Sequence, residues 1–385
     1  MKSNDKNRRK IEGNRLLSLD ALRGFDMLWI IGGGSVITSL AGLTGAPWLK
    51  ALAVQMTHVT WIGFRFYDLI FPLFMFIAGV AIPFSVKSSL SKGFVRSRLV
   101  WKIFRRMLVL ILLGILYNGV FRDGFDNARY ASVLGQIGIA YFFASLVYIF
   151  SGSSRTIIFW LTGILAGISV LQLFVPVPGA GAGVLTPEGH INGYIDRMLL
   201  PGRLAYGPEG MLGAGQQGIY DALGWLSIVS AIGITLMGIV AGRILQDRGL
   251  SGYGKSGILA GTGAVLIAAG LVLSPVYPVI KACWTTTYNL LAGGISFILM
   301  SLFYLVIDVW NLRKWSFFFR VIGMNSIFVY LLVRIVPVAT ITGYFTGWIT
   351  KPLGNAAELA EGIISLLAVW LLLYYLYRKN IFIRV

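Results

Sequence analysis

The sequence predicts an all-α protein, a polytopic membrane helix bundle of about ten transmembrane helices with both termini in the cytoplasm. Its 385 residues are 57% hydrophobic and only 12% charged, which leaves too little polar surface to cover a soluble globule. Several stretches run for about 20 residues with almost no charge, the length a helix needs to cross a hydrocarbon core about 30 Å thick. Strands of a membrane barrel would alternate apolar and polar residues, and these stretches do not.

The basic residues predict the orientation of the bundle. The ten candidate spans are residues 25–45, 62–86, 107–121, 131–150, 156–175, 221–242, 257–275, 284–309, 317–343 and 358–377. When the connections alternate between two sides and Arg320, near the inner end of its span, is counted with the inner connections, 24 of the 33 Lys and Arg residues fall on the side of the N-terminus and seven on the other. Arg65 and Arg334, which also fall within spans, are counted on neither side. This excess marks the cytoplasmic side. Topology therefore explains the net charge of +18, and nucleic acid is not predicted as a partner. The seven residues of the outer side are Lys50, Arg122, Arg129, Arg197, Arg203, Lys281 and Lys351.

Residues 1–14 form a predicted flexible basic cytoplasmic tail, and residues 15–385 a single transmembrane domain. One long connection, residues 176–220, is predicted to lie outside and is rich in Gly and Pro. A connection this long is often a lid or a binding wall. An ordered surface loop without a ligand is the alternative. The single cysteine, Cys283, excludes an intrachain disulfide and a multi-cysteine metal site, and no metal is predicted.

The chemically informative stretch surrounds the start of the second span. His58 lies in the outer connection at the mouth of that span, where an imidazole suits proton transfer near neutral pH. Arg65 and Asp68 are three residues apart, so they share a helical face and are expected to pair. Pro72 should open the backbone one turn after Asp68 and leave a carbonyl available inside the bundle. Ionisable residues within a span usually face a cavity or a partner. From these residues alone, a structural ion pair with an interfacial histidine remains the alternative.

Other polar residues mark the first and ninth spans. Asp20 and Arg23 are three residues apart where the first span begins, and we expect them to cap and anchor that helix. Asn325 and Arg334 lie in the ninth span. Arg334 either holds an anionic group or extends its charged end to the interface.

The chain resembles the heparan-α-glucosaminide N-acetyltransferase family through motifs that occur in the same order from residue 15 to the end. The motifs are RLLSLDALRG at 15–24, HVTWIG at 58–63, DLIFP at 68–72, GYIDR at 193–197, PEG at 208–210, GMNS at 323–326 and YRKNIF at 377–382. The resemblance implies a lysosomal-type reaction in which cytosolic acetyl-CoA donates acetyl across the membrane to the amine of a terminal glucosamine. It places the family's active-site histidine on His58 and its aspartate partner on Asp68.

Acetyl-CoA and an amino sugar or glycan acceptor are the partners that the resemblance implies, together with membrane lipid; a second copy of the chain is a further candidate. We expect the acceptor to contact Trp61, Arg65, Asp196, Arg197, Glu209, Asn325 and Arg334. We expect the CoA phosphates to contact Arg23, Lys102, Arg105, Arg106 and Arg313, because phosphates favour basic clusters.

No activated cysteine or GxSxG nucleophile is present, so direct attack by the sugar amine with His58 as general base is the preferred mechanism. A transient acetyl-His58 is the alternative. Two other functions stay open, an O-acetyltransferase of surface glycans and a sugar transporter. The chain lacks the large N-terminal luminal portion of the animal enzyme, which favours a multi-pass protein of the bacterial inner membrane facing the periplasm.

Reporter fusions test the predicted orientation. A fusion at residue 200 should report the extracytoplasmic side and a fusion at the C-terminus the cytoplasmic side, because the basic excess fixes the inner connections. Reporter activity that places both positions on one side would contradict the ten-span topology.

Overall fold

The structure, a computed structural model, describes residues 16–213 and 215–383, and in this part of the chain nearly all regular structure is helical. The helices are α1 Leu17–Leu28, α2 Gly34–Thr44, α3 Pro47–Gln55, α4 Phe66–Ser91, α5 Arg96–Tyr117, α6 Val120–Asp123, α7 Val133–Ser151, α8 Ser154–Phe174, α9 Ile191–Leu199, α10 Trp225–Gln246, α11 Gly252–Leu273, α12 Thr286–Tyr304, α13 Phe317–Gly323, α14 Ser326–Ile335, α15 Val338–Thr350 and α16 Ala357–Arg378. A two-stranded antiparallel hairpin joins β1 Tyr206–Gly207 to β2 Gly210–Met211. The all-α polytopic class is confirmed; the predicted tail, residues 1–14, lies outside the described residues.

Eight stretches of helix in the described residues are long and apolar enough to cross a membrane, and nine if one bent pair counts as a span. The predicted span 107–121 is absent from this set, although most of its residues are helical. The first half of α5 contains five basic residues, which makes it too polar to qualify over its full length. The side that each terminus faces stays a prediction.

The C-terminal spans differ from the predicted ones because backbone breaks interrupt them. α13 and α14 meet at an angle of 73°, so the predicted span 317–343 is not one straight helix. A 3-10 turn containing Gly354, whose φ is 57°, separates α15 from α16. Thr342 contacts Ser365, and Thr350 donates a hydrogen bond to Glu361, so the two helices fold back on each other as a hairpin.

The described chain forms two compact units, and the prediction of a single domain for residues 15–385 stays a prediction. Of the described residues, the first unit contains 16–53, 248–260 and 298–383, and the second contains 54–213, 215–247 and 261–297. In the first unit α1 packs against α13 and α15 packs against α16. The N-terminus of α1 has no side-chain cap of its own, and the Asp308 carboxylate accepts the backbone N–H of Ser18 over 3.2 Å instead.

The second unit is built around α10, which packs against α4, α7 and α8. The contact between α4 and α10 is a backbone-to-backbone approach at two glycines. A Cβ at Gly79 would lie 2.1 Å from the carbonyl oxygen of Thr235, and one at Gly238 would lie 2.1 Å from that of Phe76. Small residues let membrane helices approach this closely and gain van der Waals contact. This contact fixes the middle of α4, the helix on which Asp68 lies.

Exchange of Gly79 for alanine should separate α4 from α10 and destabilise the protein by about 1–3 kcal/mol, the usual cost of overpacking. Gly167→Ala in α8 is the matched control, because no atom lies within 4 Å of a Cβ there and alanine is the better helix former. Thermal unfolding of both variants in detergent checks this. Equal unfolding midpoints for the two variants would show that the packing of α4 against α10 does not require this close approach.

Candidate functional site

The candidate site forms where the connection before α4 folds over the first turn of that helix. His58 Nδ1 lies 2.7 Å from Asp68 Oδ1. The Asp68 side chain is fully buried, whereas the His58 side chain is 54% exposed. Ten helical residues would separate the two groups by about 15 Å, so the contact depends on the non-helical backbone that precedes α4. One nitrogen of the imidazole is therefore held by a buried acid while the ring remains accessible.

The other oxygen of Asp68 binds the start of α4. Its Oδ2 accepts the backbone N–H of Arg65 over 3.0 Å and lies 3.4 Å from that of Val59. Asp68 is in the first turn of the helix, where unpaired N–H groups and the helix dipole favour a negative charge. Both oxygens thus have hydrogen-bond donors, and the buried carboxylate is stabilised as an anion.

Pro72 links the backbone of Asp68 to a third element. A proline at this position has no N–H for the carbonyl four residues earlier, which belongs to Asp68. The Tyr288 hydroxyl, from α12, donates to that carbonyl over 2.9 Å. The sequence predicted a free carbonyl inside the bundle, and the structure gives it a buried tyrosine as its partner.

A short backbone pairing brings a second connection to the site. Ile62 and Ile280 form an isolated antiparallel bridge, and the N–H of Gly63 donates to the carbonyl of Val279 over 2.9 Å. The φ of Gly63 is 126°, a conformation that residues with a Cβ rarely adopt. This pairing aligns residues 58–63 with residues 279–281, and so places Lys281 beside His58.

Lys281 is the ion-pair partner of Asp68. Its Nζ lies 3.2 Å from Asp68 Oδ1 and 3.0 Å from His58 Nδ1, so the three groups form a compact triangle. The Lys281 side chain is 21% exposed. Burial lowers the pKa of Lys281, and the charge of Asp68 opposes that shift.

The expected pair between Arg65 and Asp68 is wrong as a side-chain contact. Arg65 is the residue before α4, with extended backbone, so the three-residue spacing within a helix does not apply to it. Its guanidinium donates instead to Thr57 Oγ1 over 2.6 Å and to the carbonyl of His58 over 2.9 Å. Only its backbone N–H binds Asp68. The Arg65 side chain therefore binds the connection that contains His58, and it does not bind the Asp68 carboxylate.

Trp61 connects this site to the long loop at 176–220. Its indole N–H donates to the carbonyl of Leu185 over 2.7 Å, and its ring lies 5.4 Å from the rings of His190 and Tyr220. His190 is buried and caps α9 by accepting the N–H of Gly193. Burial lowers the pKa of His190 to about 3, so this second histidine remains neutral. It is a structural residue, unlike the exposed His58.

Three predicted acceptor-binding residues lie in that loop and have different environments. Asp196 is fully buried and accepts the backbone N–H groups of Trp225, at the start of α10, and of Asp221. Asp196 therefore caps the start of α10, and its predicted contact with an acceptor stays a prediction. Arg197 is exposed and donates to the carbonyl of Ile219, while Glu209 is exposed in the turn of the β-hairpin.

The first unit contains the remaining predicted acceptor residues. Asn325 is buried, and its amide binds the backbone of Ile381 and Ile383 over 3.2 and 2.8 Å, so it secures the C-terminal segment. Arg334 is exposed on α14. Their roles at a substrate stay predictions.

The residues expected to contact CoA fall into both units. Lys102, Arg105 and Arg106 share one face of α5; the first two are exposed, and the guanidinium of Arg106 lies 4.4 Å from the ring centre of Tyr141. In the first unit Arg313 is exposed and donates to Asn311, and Arg23 pairs with Asp20 over 3.3 Å. The described residues contain no group of three or more His, Cys, Asp or Glu side chains close enough to hold a metal ion.

Sequence reasoning missed Lys281 and Tyr288. Lys281 was assigned only to topology, although it is one of seven basic residues predicted to lie on the same side of the membrane as His58. That shared side was the available signal, because alternation predicts that outer connections meet at one end of the bundle. Nothing in the sequence pattern singled out Tyr288, a tyrosine near the start of an apolar span.

The fold and the site define a polytopic α-helical membrane protein with an exposed histidine held by a buried carboxylate and a lysine. No family model matches the chain. The mouse heparan-α-glucosaminide N-acetyltransferase (Mus musculus) is 28% identical over 424 aligned positions, covering 98% of this chain and 61% of the mouse protein. The human protein of the same name (Homo sapiens) is 30% identical over 426 positions, covering 96% of this chain and 60% of the human protein. The chain is therefore similar along nearly its whole length to the heparan-α-glucosaminide N-acetyltransferases, in agreement with the resemblance seen in its motifs, and it spans about 60% of the length of these relatives.

The buried Asp196 predicts a pH dependence of stability. Burial raises the pKa of Asp196 from 3.8 to about 7, so between these values the folded state keeps a proton that the unfolded state loses. This group's contribution to stability is therefore present below pH 4 and is lost as pH rises to about 7. Thermal unfolding of the wild type and of Asp196→Asn at pH 5 and pH 7 tests this. Between pH 5 and pH 7 the variant should gain stability relative to the wild type. An equal difference between the two unfolding midpoints at both pH values would contradict the raised pKa of Asp196.

Proposed function

We propose that this protein is a transmembrane acetyltransferase that moves acetyl from cytosolic acetyl-CoA to the amine of a glucosamine-type sugar on the extracytoplasmic side. The homologues named as N-acetyltransferases support the reaction class. The observation on which the proposal depends is the exposed imidazole of His58, whose Nδ1 is 2.7 Å from the buried Asp68. A bacterial inner membrane is the proposed location.

His58 acts as the general base. The short contact at Nδ1 requires a proton between the nitrogen and the anionic Asp68, so Nδ1 carries the proton and Nε2 has a free lone pair. As the sugar nitrogen attacks the thioester carbonyl, a carbon–nitrogen bond forms and the carbon–sulfur bond breaks. Nε2 takes the proton that the amine loses, and the departing CoA thiolate is the final acceptor of that proton. Asp68 fixes the tautomer and stabilises the transient imidazolium.

A second route would place the acetyl group on His58 before the sugar receives it. Nε2 is the nitrogen that would carry it, because Nδ1 faces Asp68. The exposure of the ring is compatible with both routes, and direct transfer is the simpler one.

The donor and the acceptor are proposed to meet different residues. Trp61 and Arg65 are half-buried next to His58 in the chain, and they are the proposed contacts of the sugar. Lys102, Arg105 and Arg106 on α5, with Arg313 and Arg23, are the proposed contacts of the CoA phosphates on the cytoplasmic side. The pantetheine arm would then have to enter the bundle to reach His58.

Exchange of His58 tests the proposal directly. Purified wild type with labelled acetyl-CoA and a panel of amino sugars should form labelled N-acetyl product. His58→Ala should lower the rate by about 10²–10⁴-fold, the usual contribution of a general base. Asp68→Asn should slow transfer without abolishing it, because Nε2 remains while the tautomer is no longer fixed.

The other histidine provides the matched control. His190→Asn replaces one residue that can cap α9 with another and should retain transfer. Wild-type turnover in a folded His58→Ala protein would remove the histidine from the mechanism and favour a transporter. If the label appeared only on a sugar hydroxyl, the protein would be an O-acetyltransferase rather than an N-acetyltransferase.

A further inference from the structure

Lys281 occupies a position at the site that its contribution to membrane topology does not explain. It extends from the connection between α11 and α12, yet its Nζ is within hydrogen-bond distance of both His58 and Asp68. An outer lysine that only balanced the charge of the membrane surface would remain in solvent. Most of this side chain is instead withdrawn from solvent beside a carboxylate that is fully buried.

The geometry assigns the protons of the triangle. Oδ1 of Asp68 is 2.7 Å from His58 Nδ1 and 3.2 Å from Lys281 Nζ, so it accepts from both nitrogens. The 3.0 Å between Nζ and Nδ1 then separates two donors that share one acceptor. If Nδ1 instead accepted a proton from Lys281, its lone pair would face an oxygen lone pair at 2.7 Å, which is repulsive. Nδ1–H with a protonated Lys281 is the arrangement that satisfies all three distances.

Charge balance gives this arrangement a consequence. One buried carboxylate needs one nearby cation, and either Lys281 or a protonated His58 can supply it. When Lys281 supplies the cation, His58 remains neutral with Nε2 free. Without Lys281, the cation that can still contact Oδ1 is a protonated His58, and an imidazolium cannot act as a base.

We propose that Lys281 is a positioning residue that keeps His58 in its neutral, base-competent form by neutralising Asp68. The inference rests on the proposed function of His58 and deepens it. During transfer Lys281 also repels the positive charge that His58 gains, which favours passage of the proton to the CoA thiolate. Asp68 and Lys281 thus oppose each other at Nδ1, one holding the ring and the other limiting how long it stays charged.

Three other side chains lie close to His58 or to Asp68. The guanidinium of Arg65 binds the carbonyl of His58, and the ring of Tyr67 packs 4.9 Å from the imidazole. Tyr288 contributes a neutral hydroxyl to the backbone of Asp68. Among the charged groups in these contacts, Lys281 is the cation that directly touches both the acid and the imidazole.

Nuclear magnetic resonance of ring-labelled histidine tests the proposal without reference to catalysis. The chain contains two histidines, so two signals are expected, and His58→Gln identifies that of His58. In Lys281→Gln the titration midpoint of the His58 signal should rise by about one pH unit or more relative to the wild type, as for loss of a neighbouring charge. Lys281→Arg, which keeps the charge, should stay close to the wild type, and the exposed Lys50→Gln is the matched control.

The pH dependence of kcat/KM provides the second readout. In Lys281→Gln the acid limb of the kcat/KM profile should move to higher pH by the same amount as the midpoint of the His58 signal. The rate should then recover towards that of the wild type at alkaline pH. A residue with only a structural role would lower the rate at every pH and leave the limb in place. An unshifted signal with a uniform loss of rate would overturn the inference.

Chemical rescue distinguishes loss of the Lys281 charge from misfolding of a variant. Lys281→Cys, alkylated to S-aminoethylcysteine, restores a lysine-like cation at this position, while Cys283 is buried and should not react. Aminoethylation should return the His58 midpoint to its wild-type value, and failure to do so in folded protein would overturn the inference. If the wild type acetylates no amino sugar but Lys281→Gln still shifts the His58 signal, the proposed function fails and the coupling between Lys281 and His58 stands.

Discussion

The structure of the site depends on one buried carboxylate at the start of a membrane helix. Asp68 is fully buried, and it is stable there because each of its own polar atoms has a partner. Its two oxygens bind the N-terminus of α4, an imidazole and an ammonium, and its carbonyl binds a tyrosine hydroxyl. Removing an anion from water costs several kcal/mol unless such partners are present. The position of His58, Lys281 and the connection before α4 all follow from satisfying this one group.

The sequence predicted those parts of the site that depend on local chemistry. Pro72 has no N–H, so a free carbonyl one turn earlier was a necessary consequence. The partnership of His58 with Asp68 was implied by the family resemblance, and the contact required the connection before α4 to fold back over the helix. The pairing of Arg65 was predicted wrongly, since helical spacing was applied to a residue just before the helix. Lys281 lies more than 200 residues from His58, and no local rule relates positions so far apart.

The fold was predictable for a similar reason. Long apolar segments predict membrane-spanning helices, because a helix makes all of its backbone hydrogen bonds within one segment and so needs no water inside the lipid. The breaks in the C-terminal part were not predictable from hydropathy. Composition averages over a window, whereas a bend between α13 and α14 or a positive φ at Gly354 depends on single residues. The basic half of α5 was missed as helix because charge ends an apolar segment without ending the hydrogen-bonded backbone.

The bridge between Ile62 and Ile280 has a mechanical consequence for how a substrate enters. α4 is held at its middle by the backbone contact of Gly79 with α10, so Asp68 lies on a fixed support. The segments that present His58 and Lys281 are joined to each other by this short backbone pairing, so movement of one segment away from α4 would pull on the other. Withdrawal of the base would then expose the acid and remove its counter-charge in the same movement. Such an open state would be costly while Asp68 is anionic, because its partners offset the cost of removing the charge from water.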